Sequence, residues 1–240
     1  MKNYSYRRII PVLTLVAFFY SCSPTAPIIQ APFTAPEVST LDNAVIPTPD
    51  PRKDLGAGLF DAEEAVWNLE LLSTTPPAED FVGVTNSDLA FKGPYAFQGN
   101  YNGVMIWDVS NPREPQLVKD YLCPASQSDV SVYGNLMFVS GEGYGGRLDC
   151  GTEGVQDAVS QDRLRGIRIF DITDITDPQY ISNVQTCRGS HTHSVLKDPE
   201  DDENVYIYVS GSAPVRSEEE LPGCTTDEEK MEIQHFSELK

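Results

Sequence analysis

Two aspartates and one histidine, placed alike in successive segments of the chain, are the residues best suited to chemistry. Asp88 and Asp129 stand 41 residues apart, each directly after a serine, and His193 takes the corresponding place in a third segment. Carboxylate oxygens favour Ca²⁺, whereas an imidazole nitrogen shifts the preference towards transition metals. If the three side chains meet, they predict a site for a divalent cation.

A structural role suits the same residues and is the interpretation that we favour. Short polar side chains often bond the backbone where a strand begins, and each of the three stands at such a point. His191 shares the strand face of His193 and is a weaker candidate ligand. His235 lies outside the pattern.

The segments that carry these residues are copies of one another. Gly103–Pro115 and Gly166–Pro178 have glycine, aspartate and proline at the same offsets, and the stretch that begins at Ser87 is repeated from Ser128. Each copy predicts four short antiparallel strands separated by turns. Units of about 40 to 45 residues with four strands are typical of β-propeller blades. We therefore expect an all-β protein built from four-stranded blades.

This fold would bring the candidate residues together. The first strand of each propeller blade lines a central channel, so equivalent positions in successive blades converge towards one axis. Asp88, Asp129 and His193 begin three such strands in the predicted blades. The sequence therefore places them near the mouth of the channel.

One stretch resembles a known repeat family. Gly103–Pro112, which reads Gly-Val-Met-Ile-Trp-Asp-Val-Ser-Asn-Pro, is similar to the LVIVD repeat, Gly-Leu-Val-Ile-Val-Asp-Val-Ser-Asn-Pro. The resemblance extends over about residues 67–212, although Ile175 replaces the proline in the second copy. It implies an exported or surface propeller of bacteria or archaea. It implies no particular activity, because the family is defined by its repeat and a fold does not fix chemistry.

The N-terminus has the pattern of an export signal. A basic segment precedes twelve mostly apolar residues, Ile9–Tyr20, which are too few to span a bilayer. Ser21-Cys22 then resembles the end of a bacterial lipoprotein signal. We expect residues 1–22 to be a signal peptide and Cys22 to carry lipid, with cleavage by an ordinary signal peptidase as the alternative.

A proline-rich segment separates this signal from the repeats. Residues 23–60 contain many prolines and few large apolar side chains, so they cannot bury enough surface to order themselves. They are predicted to be a disordered tether. With the lipid on Cys22, this predicts a protein anchored to a membrane of the bacterial cell envelope, at the outer membrane or in the periplasm.

The charge of the chain excludes several partners. It has 17 basic and 36 acidic residues, a formal net charge of −19 at pH 7. Such a charge repels polyanions, so nucleic acid and anionic lipid head groups are poor partners. A solvated, soluble surface is the simplest explanation of the charge.

The predicted blades occupy residues 61–240, as two complete units, 87–123 and 128–187, and one partial unit, 192–240. Residues 68–74 align with the outer strand of the first unit and predict an outer strand without a blade in front of it. Propellers close with about four to eight blades. We therefore expect the chain to be the N-terminal portion of a longer propeller.

Four cysteines predict two disulfide bonds at one end of the blades. Cys123 and Cys187 precede first strands, whereas Cys150 and Cys224 follow second strands, and both kinds of loop lie at the same end of a meander. The repeated placement selects Cys123–Cys150 and Cys187–Cys224 among three pairings. An exported protein is where such bonds persist. A four-thiolate zinc site is the alternative, although no Cys-x-x-Cys spacing supports it.

The same end of the blades carries an insertion. The offset between the aligned copies grows from 41 to 63 residues across roughly residues 141–165. Extra loop length often serves binding. Gly141–Gly146 fits Gly-x-Gly-x-x-Gly, but no helix is predicted after it, so we reject a dinucleotide-binding role. The sequence contains no nucleophile elbow, phosphate-binding loop or zinc-protease motif.

Two functional interpretations remain. The first is an envelope-anchored binding or scaffold module whose insertion meets a glycan, a protein or a cation. The second is an exported metal-dependent enzyme with its site at the channel mouth. The missing catalytic motifs favour the first interpretation.

Overall fold

The computed structural model describes residues 47–58, 61–201 and 204–225. These residues belong to the unit Val38–Lys240, one of two into which the chain divides, and the other unit, Met1–Glu37, lies outside them. The predicted signal peptide with Cys22, most of the predicted tether and His235 therefore lie outside the described residues.

The described residues form three antiparallel sheets. The first sheet has the strands β1 (Asn86–Lys92), β2 (Tyr95–Asn100), β3 (Gly103–Asp108) and β4 (Gln116–Leu122). The second has β5 (Val130–Tyr133), β6 (Leu136–Gly141), β7 (Gly166–Asp171) and β8 (Gln179–Gln185), and the third pairs β9 (Thr192–Lys197) with β10 (Val205–Ser210). Helix is limited, in this part of the chain, to a 3-10 turn at Glu79–Phe81. The all-β prediction is confirmed.

Alternation along the strands explains how the sheets stack. Successive strand residues point to opposite faces. In β3, Val104 and Ile106 therefore pack towards the second sheet, while Met105 and Trp107 pack under Phe81 of the 3-10 turn. Because both faces are covered, β3 consists of buried residues up to its last position.

The second sheet is sandwiched between its neighbours in the same way. Val130, Met137 and Val139 join the core shared with the first sheet. Phe138 and Ile169 form a separate core with apolar residues of β9 and β10. The first strands of the three sheets, β1, β5 and β9, are neighbours in that order.

One predicted strand is absent. The predicted outer strand 68–74 is wrong, because that stretch has no strand structure and the first strand begins at Asn86. Leu69 and Leu71 are each 80% exposed. A strand requires a backbone partner, whereas this segment meets the first sheet through a side chain where Ser73 Oγ donates to Pro112 O at 2.8 Å.

The insertion between β6 and β7 spans 142–165 and folds without helix or regular strand. A single antiparallel bridge between Arg147 and Arg163 closes it at its base. No helix follows Gly141–Gly146, so the context required for dinucleotide binding is absent from this described loop.

Both predicted disulfide bonds are present. Cys123 is bonded to Cys150 with 4.4 Å between their Cα atoms, and Cys187 is bonded to Cys224 with 5.3 Å. The zinc alternative is wrong, because all four sulfur atoms are consumed in pairs. Each bond ties a loop that enters a first strand to a loop that follows a second strand.

Two glycines are required where the third strands begin. Gly103 and Gly166 have φ values of 145° and 151°, a region that side chains with a Cβ rarely adopt. A Cβ on Gly166 would also overlap the carbonyl oxygen of Val184 on β8, and one on Gly103 would overlap that of Tyr121 on β4. The repeated glycine thus permits close approach of the fourth strand.

We predict that Gly166→Ala lowers the free energy of unfolding by roughly 3 kcal/mol, because backbone strain and overpacking add. Gly134→Ala is the matched control, since Gly134 has a φ of 57° but a Cβ there would meet no atom within 4 Å. It should cost only about 1 kcal/mol. Urea unfolding of both variants checks this, and equal losses would contradict the packing argument.

Candidate functional site

The structure brings the three predicted side chains together where the first strands begin. Asp88 lies in β1, Asp129 directly precedes β5 and His193 lies in β9. The carboxyl group of Asp129 is close enough to that of Asp88 to raise its pKa. Asp129 Oδ2 is 3.3 Å from Nδ1 of His193.

Strand register corrects one part of the sequence alignment. His193 pairs with Val209, whereas Val130 pairs with Val139, and each of these partners is followed by Ser-Gly. His193 therefore corresponds to Val130, and Thr192 is the residue equivalent to Asp129. A shift of one residue reverses the face of a side chain, which is why His193 is buried while Thr192 is exposed.

The two aspartates connect neighbouring sheets. Asp129 Oδ2 accepts hydrogen bonds from the backbone N–H of His193 at 2.9 Å and from Thr192 Oγ1 at 2.8 Å. The backbone N–H of Val130, in β5, acts on Asp88 in the same sense, because it lowers the pKa of that carboxyl group. Asp129 thus satisfies an amide of the next sheet, so its structural role extends across sheets rather than staying within one strand.

The contact between the carboxyl groups changes the acidity of Asp88. Burial raises its pKa, and the hydrogen bond and negative charge of Asp129 raise it further, against opposing hydrogen bonds from Leu89 and Val130. Two adjacent carboxylates are favourable only when they share a proton or a cation. The neighbouring carboxyl group therefore favours the protonated form of Asp88.

His193 is held by a chain of hydroxyl groups. Its Nδ1 is 2.9 Å from Ser140 Oγ, which is 2.7 Å from Ser190 Oγ, and Ser190 donates to Thr192 O. If Ser140 in turn donates to Ser190, the proton of the ring is on Nδ1. Nε2 then carries a lone pair, and it has no hydrogen-bond partner among the described residues.

Burial lowers the pKa of His193 to about 4, so the ring is neutral at pH 7. Among the described residues, no group of three or more histidine, cysteine, aspartate or glutamate side chains is arranged to hold a metal ion. Oδ2 of Asp129 is engaged by the backbone and hydroxyl of the next sheet. This arrangement supports the structural interpretation of Asp88, Asp129 and His193.

His191 belongs to a second polar group, which includes Glu142 and Ser212. Nδ1 of His191, a half-exposed side chain, is 2.8 Å from Glu142 Oε2 and 3.2 Å from Ser212 Oγ. Glu142 Oε1 also accepts from the backbone N–H of Ser212 at 2.5 Å and of Ala213 at 3.0 Å. Burial acts to raise the pKa of Glu142, but these hydrogen bonds outweigh it and lower the pKa.

This group has the composition of a nucleophilic triad but a different geometry. A triad needs its carboxylate on Nδ1 of the histidine and its serine on Nε2. In this structure Glu142 and Ser212 both meet Nδ1 of His191. The group therefore anchors the loop that follows β10. Sequence analysis missed Glu142, whose only signal was its place between glycines at the end of β6.

Arg168 holds the insertion to the second sheet. Its buried guanidinium donates to the carbonyl oxygens of Cys123 at 2.8 Å, Pro124 at 3.1 Å and Arg147 at 2.8 Å. Burial lowers its pKa to about 10, so it remains charged at neutral pH. One signal for this role was visible in the sequence, an arginine in a strand where the first copy has Met105.

The first sheet coincides with a known repeat. Its four strands run from Asn86 to Leu122, and Cys123 follows them directly. Residues 85–123 match the model of the LVIVD repeat family. The resemblance inferred from Gly103–Pro112 is confirmed for this copy. No curated protein was found to match the chain.

The first two sheets share one frame. In both, a glycine begins the third strand and an aspartate ends it, and Asp108 and Asp171 each accept a hydrogen bond from the backbone two residues later. The second sheet adds to this frame the insertion, with its buried arginines and the disulfide bond Cys123–Cys150. No helix among the described residues is long and apolar enough to cross a membrane.

We predict that the protein loses stability as the pH falls from 6.5 towards 4. The pKa of His193 is about 6.5 when unfolded and about 4 when folded, so protons bind the unfolded state preferentially in this window. The free energy of unfolding should fall by about 1.4 kcal/mol for each pH unit. Asp88, with its raised pKa, opposes this trend at the acid end.

Urea unfolding at pH 7.5 and pH 5 measures this dependence. His193→Gln should remove most of it, whereas His191→Gln, at a half-exposed position, should leave it intact. A slope that persists in His193→Gln would show that other groups cause the pH dependence.

Proposed function

We propose that this chain is an envelope-anchored binding or scaffold module built on a β-propeller. It binds its ligand through the loops at one end of the sheets, which we call the disulfide face. The disulfide face consists of the loops at the end of the sheets where the first strands begin, residues 123–129, 142–165, 186–191 and 211–225. Both disulfide bonds and the insertion belong to it.

Asymmetry between the two ends of the sheets is the observation that carries this proposal. At the opposite end, β1–β2 and β5–β6 are joined by two-residue turns, whereas the insertion on the disulfide face has 24 residues. A loop of this length orders itself at an entropic cost. The disulfide Cys123–Cys150 and the buried Arg168 offset that cost, which favours a role in recognition.

The propeller part of the proposal has separate support. Three sheets place their first strands side by side, the register repeats from sheet to sheet, and one sheet matches the LVIVD repeat. Propellers bind ligands through loops at one end of the blades, and the rigid blades hold these loops in place.

Export and anchoring remain part of the proposal. Two disulfide bonds fit an oxidising compartment outside the cytosol. The sequence up to Cys22 supports attachment of lipid there. We do not extend the proposal to metal-dependent catalysis, because Oδ2 of Asp129 is already bonded to the backbone and a hydroxyl group of the next sheet.

We predict that Cys22→Ala moves the protein from the membrane fraction to the soluble fraction of its host, because a thioether-linked lipid needs the thiol. Cell fractionation and immunoblotting measure this. A Cys22→Ala variant that stays in the membrane fraction would contradict lipid anchoring.

The binding role is tested with purified mature protein against a panel of envelope glycans and exported proteins. Changing the exposed Gln156, Asp157 and Val159 to alanine should weaken binding of any panel ligand at least tenfold. The control changes Arg113, Glu114 and Asp177, exposed at the opposite end, and should have no effect. Panel ligands that bind the two variants equally well would refute the assignment of the disulfide face.

A further inference from the structure

Three buried arginines lie beneath the insertion, on the disulfide face. Arg163, Arg165 and Arg216 are exposed by 3%, 0% and 5%. Arg163 Nη1 is 2.7 Å from Glu220 Oε1, and Arg216 Nη2 is 3.1 Å from the same oxygen. Glu220 therefore neutralises these two in part, but it makes no ion pair with Arg165.

Arg165 has few partners for a buried cation. Its Nη2 donates to Pro214 O at 2.9 Å, while Nε and Nη1 have no hydrogen-bond partner in the described part of the chain. Nε of Arg216 is also without a partner there. Gln185 Oε1 links the two residues, since it accepts from Arg216 Nη1 at 2.8 Å and from the backbone N–H of Arg165 at 3.0 Å.

Unpaired buried donors and an unneutralised cation are both unfavourable. Burial lowers the pKa of Arg165, and the positive charge of Arg216 lowers it further, while Tyr144, Glu220 and Glu142 act in the opposite direction. The site therefore gains from any anion that reaches it.

Arg165 is the arginine that lacks a carboxylate partner. Glu220 pairs with Arg163 and Arg216, and no ion pair joins Arg165 to a carboxylate within the described residues. A singly charged carboxylate supplies that partner, whereas a phosphate dianion or a polyanion adds more negative charge to a chain that already carries −19. Guanidinium groups also pair well with the planar carboxylate group.

Access to Arg165 depends on Tyr144. The Tyr144 ring covers the guanidinium, with 4.8 Å from its centroid to Cζ of Arg165, and is itself 51% exposed. Gly143 and Gly145 flank it, and a Cβ on Gly145 would meet open space. A half-exposed aromatic ring on a glycine-flanked loop thus covers one side of the arginine.

We propose that Arg165, with Arg216 beside it and Tyr144 as its cover, binds the carboxylate group of a ligand on the disulfide face. This inference rests on the proposed binding function and names the ligand chemistry that it uses. A sugar acid and a free peptide C-terminus both supply such a group, and the experiment separates them.

Isothermal titration of the full mature protein tests the site. The probes are galacturonate with its neutral methyl ester, and N-acetyl-dialanine with its amide. At least one acid should bind with a dissociation constant in the millimolar range or below, and its uncharged counterpart should bind at least tenfold more weakly. The acid that binds identifies the source of the carboxylate.

Arg165→Met should weaken binding of that acid at least tenfold, while Arg113→Met, at the opposite end, leaves it unchanged. Without ligand, Arg165→Met should raise the melting temperature, because an unpaired buried cation is removed. Arg163→Met should lower it, because this change breaks the contact with Glu220.

Several results would overturn the inference. They are an absence of binding by both acids, equal binding of acid and uncharged probe, binding of inorganic phosphate in preference to both acids, and a melting temperature that falls in Arg165→Met as it does in Arg163→Met. The first two concern the wild-type protein and need no folded variant. If one of these results is obtained but binding of a panel ligand still depends on Gln156, Asp157 and Val159, the proposed binding function is retained and only the Arg165 site is rejected.

Discussion

The ladders of backbone hydrogen bonds stop at the edge of each sheet, so side chains must hold the sheets to one another. Apolar side chains of β2, β3, β5 and β6 supply the core that the first two sheets share. Between the second and third sheets, Asp129 adds a polar contact, because its carboxylate accepts from the backbone N–H of His193 and from Thr192 Oγ1. Asp88 lies beside it, and both Asp129 and Val130 of β5 act on its pKa.

The second sheet depends on this arrangement more than the first. It is enclosed on both sides, so its polar side chains have to find partners inside the protein. Arg168 does so with three carbonyl oxygens, and Glu142 does so with the backbone after β10. Arg165 is the exception, and it lies at the surface layer of the insertion, where an exposed aromatic ring is its cover. The polar features that go beyond the repeat therefore collect on one face.

The repeat made most of the strands predictable, because glycine, aspartate and proline mark the strand ends at fixed offsets. The disulfide pairing was predictable for the same reason, since equivalent loops place cysteines alike. The segment 68–74 was not, because a strand needs a partner that its own sequence does not specify. His193 was misplaced by one residue, because Ser-Asp pairs suggested one alignment and the Val-Ser-Gly partners of the strand impose another. The buried arginines form hydrogen bonds with carbonyl groups distant in sequence, and no local sequence pattern reveals such partners.

The hydrogen bonds of Asp129 run in one direction, from the second sheet to the sheet that follows it in the chain. This interface therefore has a polarity, with an acceptor on the earlier sheet and an amide on the later one. Every sheet that keeps an aspartate at this place presents the same two surfaces to its neighbours. A unit duplicated or lost in evolution would then leave matching surfaces behind, so the number of repeats can change without the invention of a new contact.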